Sequence, residues 1–116
     1  MIYWITGNSG SGKSTLAHIM KKAIPNSIIL DGDEMRDCWE LGFTKEDRHE
    51  QNQRACLIAN LLCEQGHDVI IATICPYTDL REHMYLLSLH EIRWIYLPGG
   101  KPSNKMFPYE WDHFKD

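Results

Sequence analysis

Gly7-Asn8-Ser9-Gly10-Ser11-Gly12-Lys13-Ser14-Thr15 is the most telling run of this chain. It satisfies Gly-x-x-x-x-Gly-Lys-Ser, the P-loop or Walker A pattern, whose backbone N–H groups cradle the phosphates of a nucleotide. Gly7, Gly10 and Gly12 permit turns closed to bulkier residues, so that successive amides from Gly7 to Thr15 can point at phosphate oxygens. Lys13 is expected to reach the β- and γ-phosphates, and the Ser14 hydroxyl to ligate Mg2+. The helix that follows presents unpaired N–H groups and a positive dipole end to the same anion. The flanks agree with this reading. Ile2-Tyr3-Trp4-Ile5 is an apolar run suited to a strand buried on both faces, and Leu16, Met20, Ala23 and Ile24 recur at helical spacing before Pro25 and Asn26.

Beyond this loop, strands and helices alternate. Ser27 to Leu30 reads as a second strand that stops at the acidic group Asp31-Gly32-Asp33-Glu34. A long helix is expected from about Lys45 to Gln65, with Ala55, Ile58, Ala59 and Leu62 on one face, Thr44 as N-cap and Gly66 as its stop. Val69 to Ala72 reads as a third strand, Thr78 to Leu89 as a further helix and Ile92 to Leu97 as a fourth strand. This order predicts an α/β fold, a P-loop NTPase-type three-layer α/β/α sandwich around a mostly parallel central sheet. Ligands then gather at the carboxyl ends of the strands, where Gly7, Asp31 and Thr73 all fall. With 116 residues, the chain is expected to be a single domain over 1–116, in which 98–116 form a shortened segment without clear periodicity.

Composition narrows the partners. The chain is 43% hydrophobic and 24% charged, with no apolar run long enough to span a bilayer and no cleavable leader before the first strand, so a cytoplasmic location without membrane association is expected. A net charge of -4 with scattered basic residues favours small-molecule nucleotides over nucleic acid. Cys38, Cys56, Cys63 and Cys75 show no Cys-x-x-Cys or zinc spacing and read as reduced thiols, with Cys56 and Cys63 as small apolar residues on one helix face.

On an extended backbone Asp31 and Asp33 would face opposite ways, unless Gly32 bends the chain and aims both into one cleft. One carboxylate would then serve Mg2+ and the other would accept the proton of an attacking hydroxyl; we assign the metal role to Asp31 and the base role to Asp33. A plain acidic turn is the alternative. Arg36, Arg48 and Arg54 suit a second anion, although each taken singly reads first as a surface partner for Glu34, Asp37, Asp47 or Glu50. Phe43 reads equally as a stacking platform for a base or as part of the core.

Leu30-Asp31-Gly32-Asp33-Glu34-Met35-Arg36, Leu41-Gly42-Phe43-Thr44, Asp47-Arg48-His49-Glu50 and Ile74-Cys75-Pro76-Tyr77 with Arg81, in that order, closely resemble the adenylylsulfate kinase (APS kinase) family from about Tyr3 to Leu97. The resemblance implies transfer of the γ-phosphoryl group of ATP, with Mg2+, to the 3′-hydroxyl of adenosine 5′-phosphosulfate, giving PAPS. It makes Asp33 the catalytic aspartate beside Lys13, Asp31 its metal-side partner, and Arg36 and Arg48 the phosphosulfate-binding arginines. Phe43 would stack on the acceptor adenine, and Ile74, Pro76 and Tyr77 would shape the acceptor pocket.

The departures are equally specific. Where the family usually has Glu-Asn-Ile-Arg-Arg, this chain has Glu50-Gln51-Asn52-Gln53-Arg54, so Gln51 takes the place of an acceptor-contacting asparagine. Cys75 stands where serine is usual. After Leu97 the family carries a helix and a basic lid before a Pro-Tyr-Glu segment, which Pro108-Tyr109-Glu110 resembles; the expectation is a minimal form with the lid cut out and only Lys101 and Lys105 as local cations. A lidless site should be slow or leak phosphate to water, and a second copy, as a homodimer, could complete it. Two other readings stay open: a kinase of another small hydroxyl acceptor, and a nucleotide-binding module with little catalytic activity.

Overall fold

Short strands that are apolar on both sides can be buried only between two layers of helices. The computed structural model, which describes residues 1–100, has that form. In chain order it comprises β1 (Ile2–Gly7), α1 (Lys13–Ala23), β2 (Ser27–Asp31), α2 (Gly32–Trp39), α3 (Lys45–Glu64), β3 (Asp68–Ala72), α4 (Thr78–Leu87) and β4 (Ile92–Leu97). The sheet order is β2-β3-β1-β4, and every neighbouring pair is parallel.

Alternation along β1 divides the core. Ile2 and Trp4 turn to one face, among Ala55, Cys56 and Ala59 of α3 and Leu80 and Met84 of α4. Ile5 turns to the other, against Ala17 of α1, with Leu16, Met20 and Ile24 packed around it. Trp4 also stacks on Trp94 of β4, with ring centroids 4.8 Å apart. Burying each large side chain of this kind contributes about 1.5–3 kcal/mol, far more than helix propensity supplies to elements as short as α1 and α4.

Register sets the site. Gly7 pairs with Leu97, and Asp31 pairs with Ala72, so the P-loop, the end of β2 and the residues after β3 emerge on one edge of the sheet.

Local signals account for the long helix. Thr44 caps α3 by accepting the Asp47 amide on its hydroxyl at 3.1 Å, and Gly66 turns the chain away at φ +91°. The helix α4 ends two residues before its expected limit. The reason is Asn60 of α3, whose Oδ1 takes the Leu89 amide at 2.7 Å and whose Nδ2 reaches Ser88 Oγ at 3.1 Å. All four cysteines are free; Cys56 and Cys75 are buried, Cys63 half-buried and Cys38 exposed. The expectations placed on Lys101, Lys105 and Pro108-Tyr109-Glu110 lie outside the described residues.

Candidate active site

The P-loop begins where β1 ends. A Cβ on Gly7 would fall 2.5 Å from Leu97 O and 2.9 Å from Ser11 Oγ, so the loop leaves room for glycine only. Gly12 N-caps α1 at φ 95°, and no side chain caps the first turn of that helix. Lys13 arches back over the loop, donating from Nζ to Asn8 O at 2.8 Å and to Gly7 O at 3.1 Å. Burial lowers its pKa against the opposing pull of the Asp33 and Asp31 carboxylates. An ammonium desolvated to this degree is better satisfied by an added anion, which is the electrostatic condition of a phosphate site.

Opposite Lys13, Ser14 Oγ donates to Asp31 Oδ2 at 2.6 Å. Asp31 Oδ1 accepts the Asp33 amide at 2.9 Å, which makes Asp31 the N-cap of α2. This corrects the expected geometry. Asp31 closes β2 and Asp33 sits in the first turn of a helix, so helical winding rather than a glycine bend in extended chain brings both carboxylates into one cleft. Gly32 fits for a different reason: a Cβ there would press on Ala72 O at 3.2 Å and Thr73 Cγ2 at 3.3 Å.

The Ser14 and Asp31 oxygens fit Mg2+, which takes one or two carboxylates and completes its shell with water and substrate phosphates. Among the described residues no group of three or more His, Cys, Asp or Glu forms a full protein cage, which this mode of binding does not need.

Beyond Asp33 lies a cationic and aromatic wall. Arg36 Nη2 pairs with Asp33 Oδ1 at 2.6 Å, and its guanidinium carbon lies 4.2 Å from the centre of the Phe43 ring. Arg48 lies 5.9 Å from the same ring and donates from Nε to Phe43 O at 3.4 Å. Only 4% of Arg48 is exposed, which corrects its reading as a surface ion-pair partner. Burial lowers its pKa, though a guanidinium keeps its charge in proteins. Phe43 itself is 47% exposed, so it belongs to the cleft rather than to the core. Two guanidiniums beside an open ring suit an anion attached to a planar group. Arg54 stands apart, paired with Glu50 at 2.7 Å and lying over Trp39.

One cleft is lined by Ser9, Gly10, Gly12, Lys13, Ser14 and Thr15, by Asp31, Gly32, Asp33 and Arg36, by Gly42, Phe43, Arg48 and Gln51, and by Ala72, Thr73 and Ile74. Most of the expected site residues therefore meet. Pro76 and Tyr77 are buried and do not line it; the Tyr77 ring stacks on His49 at 6.0 Å and lies 5.0 Å from Lys45 Nζ. Gln51 lines the cleft as well, and its Nε2 donates to Gly32 O at 2.6 Å.

Sequence reasoning passed over Asn52. Fully buried, it accepts the Thr73 hydroxyl at 2.7 Å and donates to Arg48 O at 2.8 Å and Ile74 O at 3.3 Å. Thr73 Oγ1 in turn accepts Trp4 Nε1 at 2.8 Å. The signal was an asparagine at helical spacing from Ala55 and Ala59.

The family model Adenylylsulphate kinase matches residues 1–97. The chain belongs to the adenylylsulphate kinase family. The adenylyl-sulfate kinase of Myxococcus xanthus is 42% identical over 92 residues, covering 75% of this chain and 50% of its own. The solved APS kinase CysC of Mycobacterium tuberculosis in complex with AMPPNP and APS is similar at a TM-score of 0.70 and 31% identity, covering 83% of this chain and 61% of its own. A hexameric APS kinase from Thiobacillus denitrificans is similar at a TM-score of 0.70 and 29% identity, covering 82% of this chain and 21% of its own. The chain spans about half the length of the curated adenylylsulphate kinases it matches. The resemblance carried by the motifs from Tyr3 to Leu97 and the α/β P-loop fold are both borne out.

Proposed function

We propose that this chain transfers the γ-phosphoryl group of ATP, with Mg2+, to the 3′-hydroxyl of adenosine 5′-phosphosulfate. The observation that carries the reading is a single cleft in which Lys13 and the Ser14–Asp31 pair adjoin Asp33, and Asp33 adjoins Arg36, Phe43 and Arg48. The P-loop amides and Lys13 hold the donor phosphates, while Ser14 and Asp31 hold Mg2+, which neutralises charge on them. The Phe43 ring takes the acceptor adenine, and Arg36 and Arg48 take its phosphosulfate. Asp33, at the start of α2, accepts the proton of the attacking hydroxyl.

An acceptor that recruits Arg36 would release Asp33 from its ion pair, which ties availability of the base to occupancy of the acceptor site. The AMPPNP and APS in the name of the Mycobacterium tuberculosis structure are the two ligand classes this division requires.

The proposal includes a cytoplasmic setting, supported by four free thiols, and partners limited to small nucleotides, supported by the net charge. No helix among the described residues is long and apolar enough to cross a membrane. Self-association, a homodimer being its simplest form, is also part of it, supported by the solved relative named as hexameric.

Incubation with γ-labelled ATP, Mg2+ and adenosine 5′-phosphosulfate should give labelled PAPS. Label transferred only to other hydroxyl acceptors, or nucleotide binding with no transfer to any, would reject the proposal.

A further inference from the structure

We propose that Gln51 is a positioning residue that holds the Asp31–Asp33 turn through the Gly32 carbonyl, and that it is not a contact to the acceptor. The role rests on the phosphotransferase reading above and says which part of the protein keeps its two carboxylates in place.

The helix α2 needs an anchor. This helix has eight residues, too few to be stable without anchoring to the rest of the fold. The Asp33–Arg36 pair lies within it and cannot fix its place. The Asp31 cap on the Asp33 amide is local in the same way.

Anchoring must come from outside the helix. Ser14 supplies one tie, on Asp31 Oδ2, and Met35 contributes packing in the core. The tie at the turn itself is Gln51, whose Nε2 donates to Gly32 O at 2.6 Å from the middle of α3. On the other side of Gly32, the end of β3 comes so close that a Cβ would meet Ala72 O and Thr73. Gly32 is thus held between α3 and β3, with Asp31 before it and Asp33 after it.

The next residue does the same for the opposite wall. Asn52 donates to Ile74 O and accepts the Thr73 hydroxyl. Consecutive amides of one helix therefore set both sides of the cleft. Gln51 is 5% exposed, and one of its two amide N–H donors is given to the backbone at the wall of the cleft, which suits holding the turn.

Two variants separate the roles. Gln51→Met keeps the length and loses the donor, while Gln51→Asn keeps an amide that is one methylene too short. In steady-state transfer from Mg·ATP to adenosine 5′-phosphosulfate, both should lower kcat roughly tenfold or more while the acceptor KM changes less than about threefold. A KM raised about tenfold at unchanged kcat, or Gln51→Asn behaving as the wild type, overturns the proposal.

A second readout needs no acceptor. The Mg2+ concentration giving half of the ATP-induced rise in melting temperature should increase roughly tenfold in both variants, because Asp31 moves with Gly32. An unchanged Mg2+ curve overturns the proposal. Wild-type protein that phosphorylates no adenosine phosphosulfate would refute the activity and leave this curve readable, so the two failures are distinguishable.

Discussion

Ser14 Oγ and Asp31 Oδ2 meet at 2.6 Å, joining the first turn of α1 to the end of β2 across the intervening strand β3. The contact ties the helix that follows the P-loop to the strand end that carries the acidic residues. If these oxygens hold Mg2+, Asp31→Asn should weaken the metal requirement selectively. The expected result is a roughly 10- to 100-fold higher Mg2+ concentration for half-maximal transfer, read from a metal titration at saturating ATP.

Lys13→Ala removes the ammonium that the carboxylates and the loop carbonyls surround. For the wild type, ATP with Mg2+ at a hundred times its Kd should stabilise the fold by about 2.7 kcal/mol. In the variant that increment should vanish in a thermal-shift titration. A full shift retained by Lys13→Ala would remove the basis for the P-loop assignment.

Asp33→Asn leaves the Asp31 cap in place, since the Asp33 amide rather than its side chain makes that bond. The variant should therefore fold and bind ATP normally. Its kcat should fall by roughly 10²–10⁴, the usual contribution of a positioned base. Isothermal titration beside single-turnover kinetics checks both halves of the expectation.

Phe43→Ala should raise the acceptor KM by roughly 5- to 200-fold, if the ring supplies about 1–3 kcal/mol of stacking. Stability should change by less than about 1 kcal/mol, because the ring is half open to solvent. Phe43→Trp should restore most of the affinity. Competition by a non-reactive acceptor analogue measures the ring without involving chemistry.

The pH dependence on the alkaline side follows from buried thiols. Burial pushes the Cys56 thiol from its ordinary 9.0 up to about 11, and Cys75 moves in the same direction. The folded protein thus holds these protons more tightly than the unfolded chain. Their stabilisation is complete below pH 9 and is lost as pH rises through about 11 for Cys56. The melting temperature should fall over that interval, with Cys56 contributing on the order of 2 kcal/mol. Cys56→Ala should flatten the decline, and an identical slope in the variant would show that other groups cause it.

Much of this architecture was readable from local signals. The P-loop, the Thr44 cap and the Gly66 stop are short-range patterns, and each lies where its chemistry requires. The helix α2 was not read because Asp31-Gly32-Asp33 carries turn residues, although an aspartate followed by acidic residues also opens helices. Gln51 illustrates a second limit. Motif position marked it as an acceptor contact, and it does line the cleft, but its bond to a carbonyl nineteen residues away in sequence carries no motif signal. The Trp4–Thr73–Asn52 chain spans 69 residues between its first two members, and no periodicity encodes such a pairing. Pro76 and Tyr77 differ from their expected place because Arg81 Nη1 holds Cys75 O at 2.7 Å and Thr6 Oγ1 holds the Cys75 amide at 3.1 Å, drawing that stretch into the interior.

The narrow approach of Gly7 to Leu97 has a further consequence. The P-loop abuts β4 as well as growing from β1, so these two neighbouring strands share one seam with it. Trimming the polypeptide back past Leu97 would unseat the P-loop even though every residue of its motif survived. Residue 97 thereby marks a floor for miniaturising this scaffold.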